Sequence, residues 1–285
     1  MTINKRKLEE NIFKGLMIIS ACIILASLGL ILGTILEKGL PALTWEMLTK
    51  APQGGYYIGK GGGILNAILG SLILGIGATA IAFILSLPIA FYLNLYLKKK
   101  SRLALSVRFS LDVLWGIPSI VYGAFGFTLM VFFGWRASLL AGMLTVALLI
   151  MPLMTRALDE VLKMVPLELQ EAAFSLGSTR WEMAWKIVFR QVFPGILTAV
   201  LMAFGRAISD AAAVLFTAGF TDALPSSLFK PAATLPLSVF FQLATPFPEV
   251  QARGYASALV LTLLVLFLSI VSRVLSKRFT RHVLK

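Results

Sequence analysis

Residues 15–36 carry no charged side chain, and this run of 22 residues decides which solvent the chain folds in. A helix rises about 1.5 Å per residue and the hydrocarbon core of a bilayer is about 30 Å thick, so roughly 20 apolar residues cross it. Lys5-Arg6-Lys7 precedes the run. A cleaved secretory leader has a similar layout, but its apolar region is about 7–15 residues long and ends at an A-x-A-like site that does not follow here. A retained spanning helix is expected. Further apolar spans run from about 64 to 97, 107 to 133, 137 to 158, 193 to 220 and 255 to 271, which makes six. The composition agrees, with 58% hydrophobic and 14% charged residues, where a soluble domain has about 45–50% and about 25%. Inside lipid each backbone N–H and C=O must be satisfied within its own segment, so the expected fold class is an all-α membrane protein.

Basic residues stay on the cytoplasmic side during insertion. With the N-terminus inside, the inner segments hold Lys5, Arg6, Lys7 and Lys14, then Lys98, Lys99, Lys100, Arg102 and Arg108. The next inner segment holds Arg156, Lys163, Arg180, Lys186 and Arg190, and the tail holds Arg273, Lys277, Arg278, Arg281 and Lys285. Only Lys38, Lys50, Lys60, Arg136, Lys230 and Arg253 fall outside. Both termini are therefore expected in the cytoplasm. This asymmetry accounts for most of the net charge of +13, and no basic patch interleaved with aromatics marks a soluble module. Membrane lipid is an expected partner; nucleic acid is not. Cys22 is the only cysteine and His282, in the tail, the only histidine, so neither a disulfide nor a metal site is expected.

Gly54, Gly59 and Lys60 imitate the G-x-x-x-x-G-K of a phosphate-cradling loop. The pattern fails at the next position, where Gly61 replaces the hydroxyl that would bind magnesium, and no apolar strand precedes it. The chain is read as having no ATPase centre and no cofactor.

Ionisable residues inside a membrane are costly and mark function by default. Arg206 and Asp210 lie four apart, on one face of the predicted fifth span. Two readings fit them: a structural ion pair, or an anion pathway in which the guanidinium fork meets an oxyanion and the carboxylate holds it ready. In "LDVLWGIPSIVYGAFG" Asp112 sits near the cytoplasmic end of its span, and Pro118 loosens the helix ahead of Gly123 and Gly126. Pro118 and the adjoining Ser119 are candidates to line a pore, with tight helix packing as the alternative. Five prolines punctuate residues 221–251 around the apolar "LPLSVFFQLA", which suits either a re-entrant segment or a surface loop.

The stretch 165–197 is amphipathic inside this apolar chain. Pro166 opens a helix, Leu169, Ala172, Ala173 and Leu176 form one apolar face, and Gly177 closes it. Thr179 and Glu182 have capping-box spacing for a second helix. Glu168 and Glu171 flank the apolar face, which suits a protein groove better than an anionic lipid surface.

Here "EAAFSLG", residues 171–177, followed by Ile187, resembles the EAA loop of bacterial ABC importer permeases, although Ile187-Val188-Phe189-Arg190 departs from the usual Ile-x-Leu-Pro. "GGGILNAILGSLIL", "IPSIVYGAFG", "MVPLELQEAAFSLGSTRWEM" and "LPLSVFFQLATPFPE" are similar, in order, to the phosphate importer permeases of PstA type. At Arg206 the arginine is kept, and Asp210 stands where that family commonly has Glu. The resemblance implies a type I ABC importer permease fold of six transmembrane helices in the bacterial inner membrane. It implies an N-terminal region 1–60 and a permease core 61–285. Glu171, Ala172, Ala173 and Gly177 would couple to an ATPase, and Arg206, Asp210, Pro118 and Ser119 would line the substrate pathway. Implied partners are a second permease of PstC type, two ATP-binding subunits and an external phosphate-binding protein. ATP hydrolysis would then belong to those separate subunits.

Overall fold

The structure is a computed structural model and describes residues 2–53, 61–98 and 101–280. Gly54, Gly59 and Lys60 lie outside the described residues, as do Lys99, Lys100, Arg281, His282 and Lys285. The regular elements are all helical among the described residues: α1 (Thr2–Ala42), α2 (Trp45–Thr49), α3 (Leu65–Phe91), α4 (Arg102–Trp115), α5 (Ser119–Phe132), α6 (Leu139–Lys163), α7 (Leu167–Ser175), α8 (Arg180–Glu182), α9 (Phe189–Ser209), α10 (Leu235–Leu243) and α11 (Pro248–Thr280). A π-helical turn at Tyr92–Tyr96 prolongs α3, and another at Met183–Val188 joins α8 to α9.

Among the described residues, five stretches are long and apolar enough to cross a bilayer: Glu9–Ala42, Leu65–Tyr96, Leu139–Lys163, Arg180–Ser209 and Pro248–Leu275. The third predicted span, 107–133, is not one helix but α4 and α5 bent by 96°. Pro118 supplies no N–H and holds an extended ψ of 139°, so the helix stops and restarts around it. The Tyr122 hydroxyl donates to the Leu114 carbonyl at 2.9 Å, beside the Ile117 N–H at 3.2 Å, and so ties α5 back to the end of α4.

The core lies where α3, α6 and α9 meet. Ala78 and Ala82 of α3, Val146, Ile150 and Met154 of α6, and Ala199 and Ala203 of α9 are all buried there. Small residues let these backbones approach closely, which drives helix association in lipid. By contrast α1 packs chiefly on α11, near Lys38 and Tyr255, and leaves most of its apolar surface exposed.

The predicted fifth span, 193–220, is displaced towards the C-terminus. The observed span begins earlier, at Arg180, and stops at Ser209 instead of continuing to 220. Asp210 takes an extended conformation and its carboxylate accepts from the Ala213 N–H at 2.8 Å, a local bond that competes with the helical one. Residues 210–234 then run irregularly, yet Ala213, Val214, Thr217, Ala218, Ala232 and Ala233 are buried. This segment completes the start of α6: the N–H groups of Ser138, Leu139 and Leu140 donate to the carbonyls of Thr217, Lys230 and Leu228. The Leu235 N–H donates to Ser71 Oγ at 2.7 Å, which fixes α10 to α3. The two ends of this stretch are irregular backbone covered by protein, as a re-entrant segment requires, while Leu224, Leu228 and Phe229 in its middle are exposed.

Candidate functional site

At one end of the molecule α6 runs through Met164, Val165 and Pro166 into α7, and a tight turn returns the chain into α8. Both helix ends are capped. The Ser178 N–H donates to the Ala173 carbonyl and the Gly177 N–H to that of Phe174, a Schellman pattern that needs the left-handed φ of +79° at Gly177. The Thr179 hydroxyl accepts from the Glu182 N–H while the Glu182 carboxylate accepts from the Thr179 N–H, completing the predicted capping box. Arg180 donates to the Leu95 and Tyr96 carbonyls and lies over the Tyr96 ring, so the hairpin is tied to the end of α3.

The single apolar face expected on α7 divides in two. Leu169 and Ala173 point inward, Ala173 only 3% exposed in the cluster that holds Met183, Ala184 and Val188. Ala172 points outward, and Leu176, past the last helical turn, is 87% exposed. The residues at 172 and 173 differ by about 100° around a helix, so they cannot share one seam. Phe174, Leu167 and Met164 join Leu176 on the outward side, beside exposed Glu168 and Glu171. An apolar surface rimmed by acids and held rigid by two caps is suited to docking on a protein.

Towards the other end, Arg206 and Asp210 meet at 2.9 Å, as their spacing predicted. Asp210 is not on the helix face, however, but just beyond its end. Its side chain is 3% exposed and that of Arg206 is 47%. One carboxylate oxygen holds the guanidinium and the other is held by Ala213, so the arginine is aimed by a buried, anchored acid. Arg206 opens onto a groove of about 420 Å³ between α9 and α11, shared with Thr198, Met202, Ser209 and Ser269. A half-exposed cation with its fork partly unoccupied can take an anion at moderate desolvation cost.

Pro118 and Ser119 stand at the α4–α5 break, Pro118 exposed and Ser119 half-buried, and neither makes a side-chain hydrogen bond to Arg206 or Asp210. The link is one turn further on. A side chain at Gly123 would begin 2.7 Å from the Ala212 carbonyl, so α5 presses on the turn that anchors Asp210.

A second charged site was not singled out by the sequence reading. Asp159 of α6 is fully buried and accepts from Arg108 Nε at 3.0 Å and Nη2 at 2.9 Å, and from Asn94 at 2.8 Å. Lys163 lies at 2.8 Å and Arg156 at 3.3 Å. Arg156 also pairs with Asp112 at 2.8 Å. The spacing of Arg156, Asp159 and Lys163 on one helix is visible in the sequence; the arrival of Arg108 and Asn94 from other helices is not.

Residues 86–285 match the family model described as "Binding-protein-dependent transport system inner membrane component". The chain is 36% identical over 277 residues to "Phosphate transport system permease protein PstA" of Haemophilus influenzae, covering 94% of each protein. It is 39% identical over 220 residues to the protein of that name from Yersinia pestis, covering 75% of this chain and 72% of that one. Identity to "Phosphate transport system permease protein PstA 2" of Mycobacterium tuberculosis is 32% over 261 residues, 90% of this chain and 83% of that one. Among solved structures, an inward-facing conformation of the MetNI methionine ABC transporter superposes with a TM-score of 0.62 at 16% identity, over 78% of this chain and 96% of that one. That likeness concerns the fold alone.

Proposed function

Because this chain belongs to the binding-protein-dependent transport system inner membrane components, we propose that it is the permease subunit of an ATP-driven importer of inorganic phosphate and forms half of the translocation pathway. Its partners on this reading are a second permease of PstC type, two ATP-binding subunits and an external phosphate-binding protein. Residues 61–285 form the permease core, and residues 1–60 add an anchoring helix, in keeping with how little of α1 is buried. Both termini and the α7–α8 hairpin face the cytoplasm, in accord with the distribution of basic residues.

The observation that carries the anion part of this reading is Arg206, half-exposed and aimed by a carboxylate that is itself fixed by Ala213. Taking phosphate out of water is expensive, and a charge-assisted fork at the end of α9 offsets part of that cost. Glu171, Ala172, Ala173 and Gly177 form the coupling element. Glu171, Ala172 and Gly177 present its outer surface, and Ala173 seats it on the core. A packed hairpin transmits displacement instead of absorbing it, so closure of the ATPases is felt along α6 and α9.

The test is reconstitution of the four-component complex in liposomes with the binding protein. Phosphate should stimulate ATP hydrolysis and accumulate inside, while sulfate should do neither. ATP hydrolysis that ignores phosphate, with no uptake, would contradict the reading; stimulation by sulfate instead would move it to another oxyanion.

A further inference from the structure

The fully buried Asp159 has no part in the pathway or in docking, yet it collects hydrogen bonds and ion pairs from three elements. Asn94 comes from the π-helical end of α3, Arg108 from α4, and Arg156 and Lys163 from α6 itself. Glu160 adds a contact to Lys163 at 2.7 Å, and Asp112 one to Arg156 at 2.8 Å. The three cations Arg108, Arg156 and Lys163 therefore face the three acids Asp112, Asp159 and Glu160. Such a balanced cluster leaves no charge for an anion. A buried pair of this sort is also poor evidence of stability, since desolvation offsets its attraction, and its best use is to fix the register of the elements it joins.

The elements joined here are telling. Asp159 lies in the last turns of α6, and only Met164, Val165 and Pro166 separate α6 from α7. Displacement of the hairpin thus reaches Asp159 along α6, as it reaches α9 through the turn at Met183–Val188. Through Arg108 and Asp112, four residues apart, α4 is pinned to that same end of α6 at two points. Beyond the 96° break, α5 packs near the start of α6, where Gly126 faces Thr145, keeps one bond back to α4 from Tyr122 to Leu114, and presses with Gly123 on Ala212 and Ala213, next to the turn that aims Arg206. So α4 is fixed to the hairpin end of α6 and α5 touches the arginine turn, with Gly116, Ile117 and Pro118 between them.

We propose that Asp159 is a positioning residue for coupling: through Arg108 and Arg156 it makes α4 move with the hairpin, so that displacement by the ATPase is delivered to the break before Ser119 and from there to the Arg206 turn. This rests on the importer reading above. The break is the hinge and the Asp159 cluster is the gear that drives it.

The test uses the complete reconstituted complex, with Cys22→Ser and spin labels on Ser106→Cys of α4 and Thr128→Cys of α5, both exposed. The labelled parent must first hydrolyse ATP and take up phosphate; failure there strikes the importer reading and not this one. The α4–α5 distance should then change between the ATP-free and ATP-trapped states. With Asp159→Asn the complex should still assemble and hydrolyse ATP, but the distance change should vanish and ATP consumed per phosphate should rise about tenfold, within the range of ordinary coupling effects. Asp112→Asn removes the charge of a side chain that is 49% exposed, so folding tolerates it, and a smaller rise of the same ratio is expected. If Asp159→Asn does not assemble, Asp112→Asn decides: an unchanged distance shift and unchanged ratio overturn the proposal. A parent whose α4–α5 distance never changes, or an Asp159→Asn complex that shifts and transports like the parent, overturns it equally.

Discussion

Ala172 and Ala173 are adjacent and chemically identical, so placing the same acid at each separates docking from folding. Ala173 is 3% exposed, in an apolar cluster with Met183, Ala184 and Val188. A carboxylate there is a charge buried among apolar side chains, at a cost of about 3–5 kcal/mol. That exceeds what two helix caps of about 1 kcal/mol each contribute, so Ala173→Asp should unseat the hairpin in the isolated subunit. Ala172 is exposed in the subunit, where Ala172→Asp should change stability by about 0.5 kcal/mol or less. Once the ATPase covers it, the same acid is buried beside Glu168 and Glu171, and a loss of about 2–4 kcal/mol weakens docking about 30- to 1,000-fold. The assay pairs hydrogen exchange of the hairpin in the detergent-solubilised subunit with co-purification of the ATPase. Ala173→Asp should lose hairpin protection and the ATPase; Ala172→Asp should keep protection and lose the ATPase alone. An Ala172→Asp subunit that binds its ATPase and supports normal uptake would refute the argument that this face is the docking surface.

Two further outcomes follow from the same geometry. A side chain at Gly177 would meet nothing within 4 Å, so Gly177→Ala should cost only the left-handed backbone penalty of about 1–2 kcal/mol, and Gly177→Asn less, read as faster exchange at the Ser178 amide. In a Cys22→Ser background, Ser226→Cys should react with an impermeant thiol reagent in intact cells and Ser178→Cys should not; the reverse pattern would invert the orientation and remove the hairpin from the ATP side.

Sequence spacing shows what a single helix decides. The uncharged run 15–36, the Thr179–Glu182 box and the closing Gly177 depend on neighbours a few residues away, and each appears where spacing puts it. Spacing also brings Arg206 to Asp210, though through a helix end that it does not reveal, because Asp210 bonds to Ala213 instead of continuing the turn. Hydropathy cannot see a bend, since Pro118 leaves the apolar run unbroken while turning it by 96°. Nor can it see that Ala213, Val214, Ala218 and Ala232 are buried, or that the carbonyls of Thr217, Leu228 and Lys230 meet the start of α6, far away in sequence. The Asp159 cluster is the extreme case: its partners Asn94 and Arg108 are 65 and 51 residues distant and join it only when three helices pack.

The most direct test of the account is the neutral pair Arg206→Gln with Asp210→Asn. Arg206→Ala alone would strand a buried carboxylate and damage folding and function together. In the double variant the Asn carbonyl can still accept from Ala213 and its amide can donate to Gln, so the end of α9 keeps its hydrogen bonds without either charge. If Arg206 meets the anion, the variant complex should assemble and hydrolyse ATP, yet phosphate uptake should fall about 10- to 150-fold, the loss of one charge-assisted bond of about 1.5–3 kcal/mol. Uptake close to that of the parent would show that Arg206 and Asp210 are only a structural pair and would remove the arginine from the pathway.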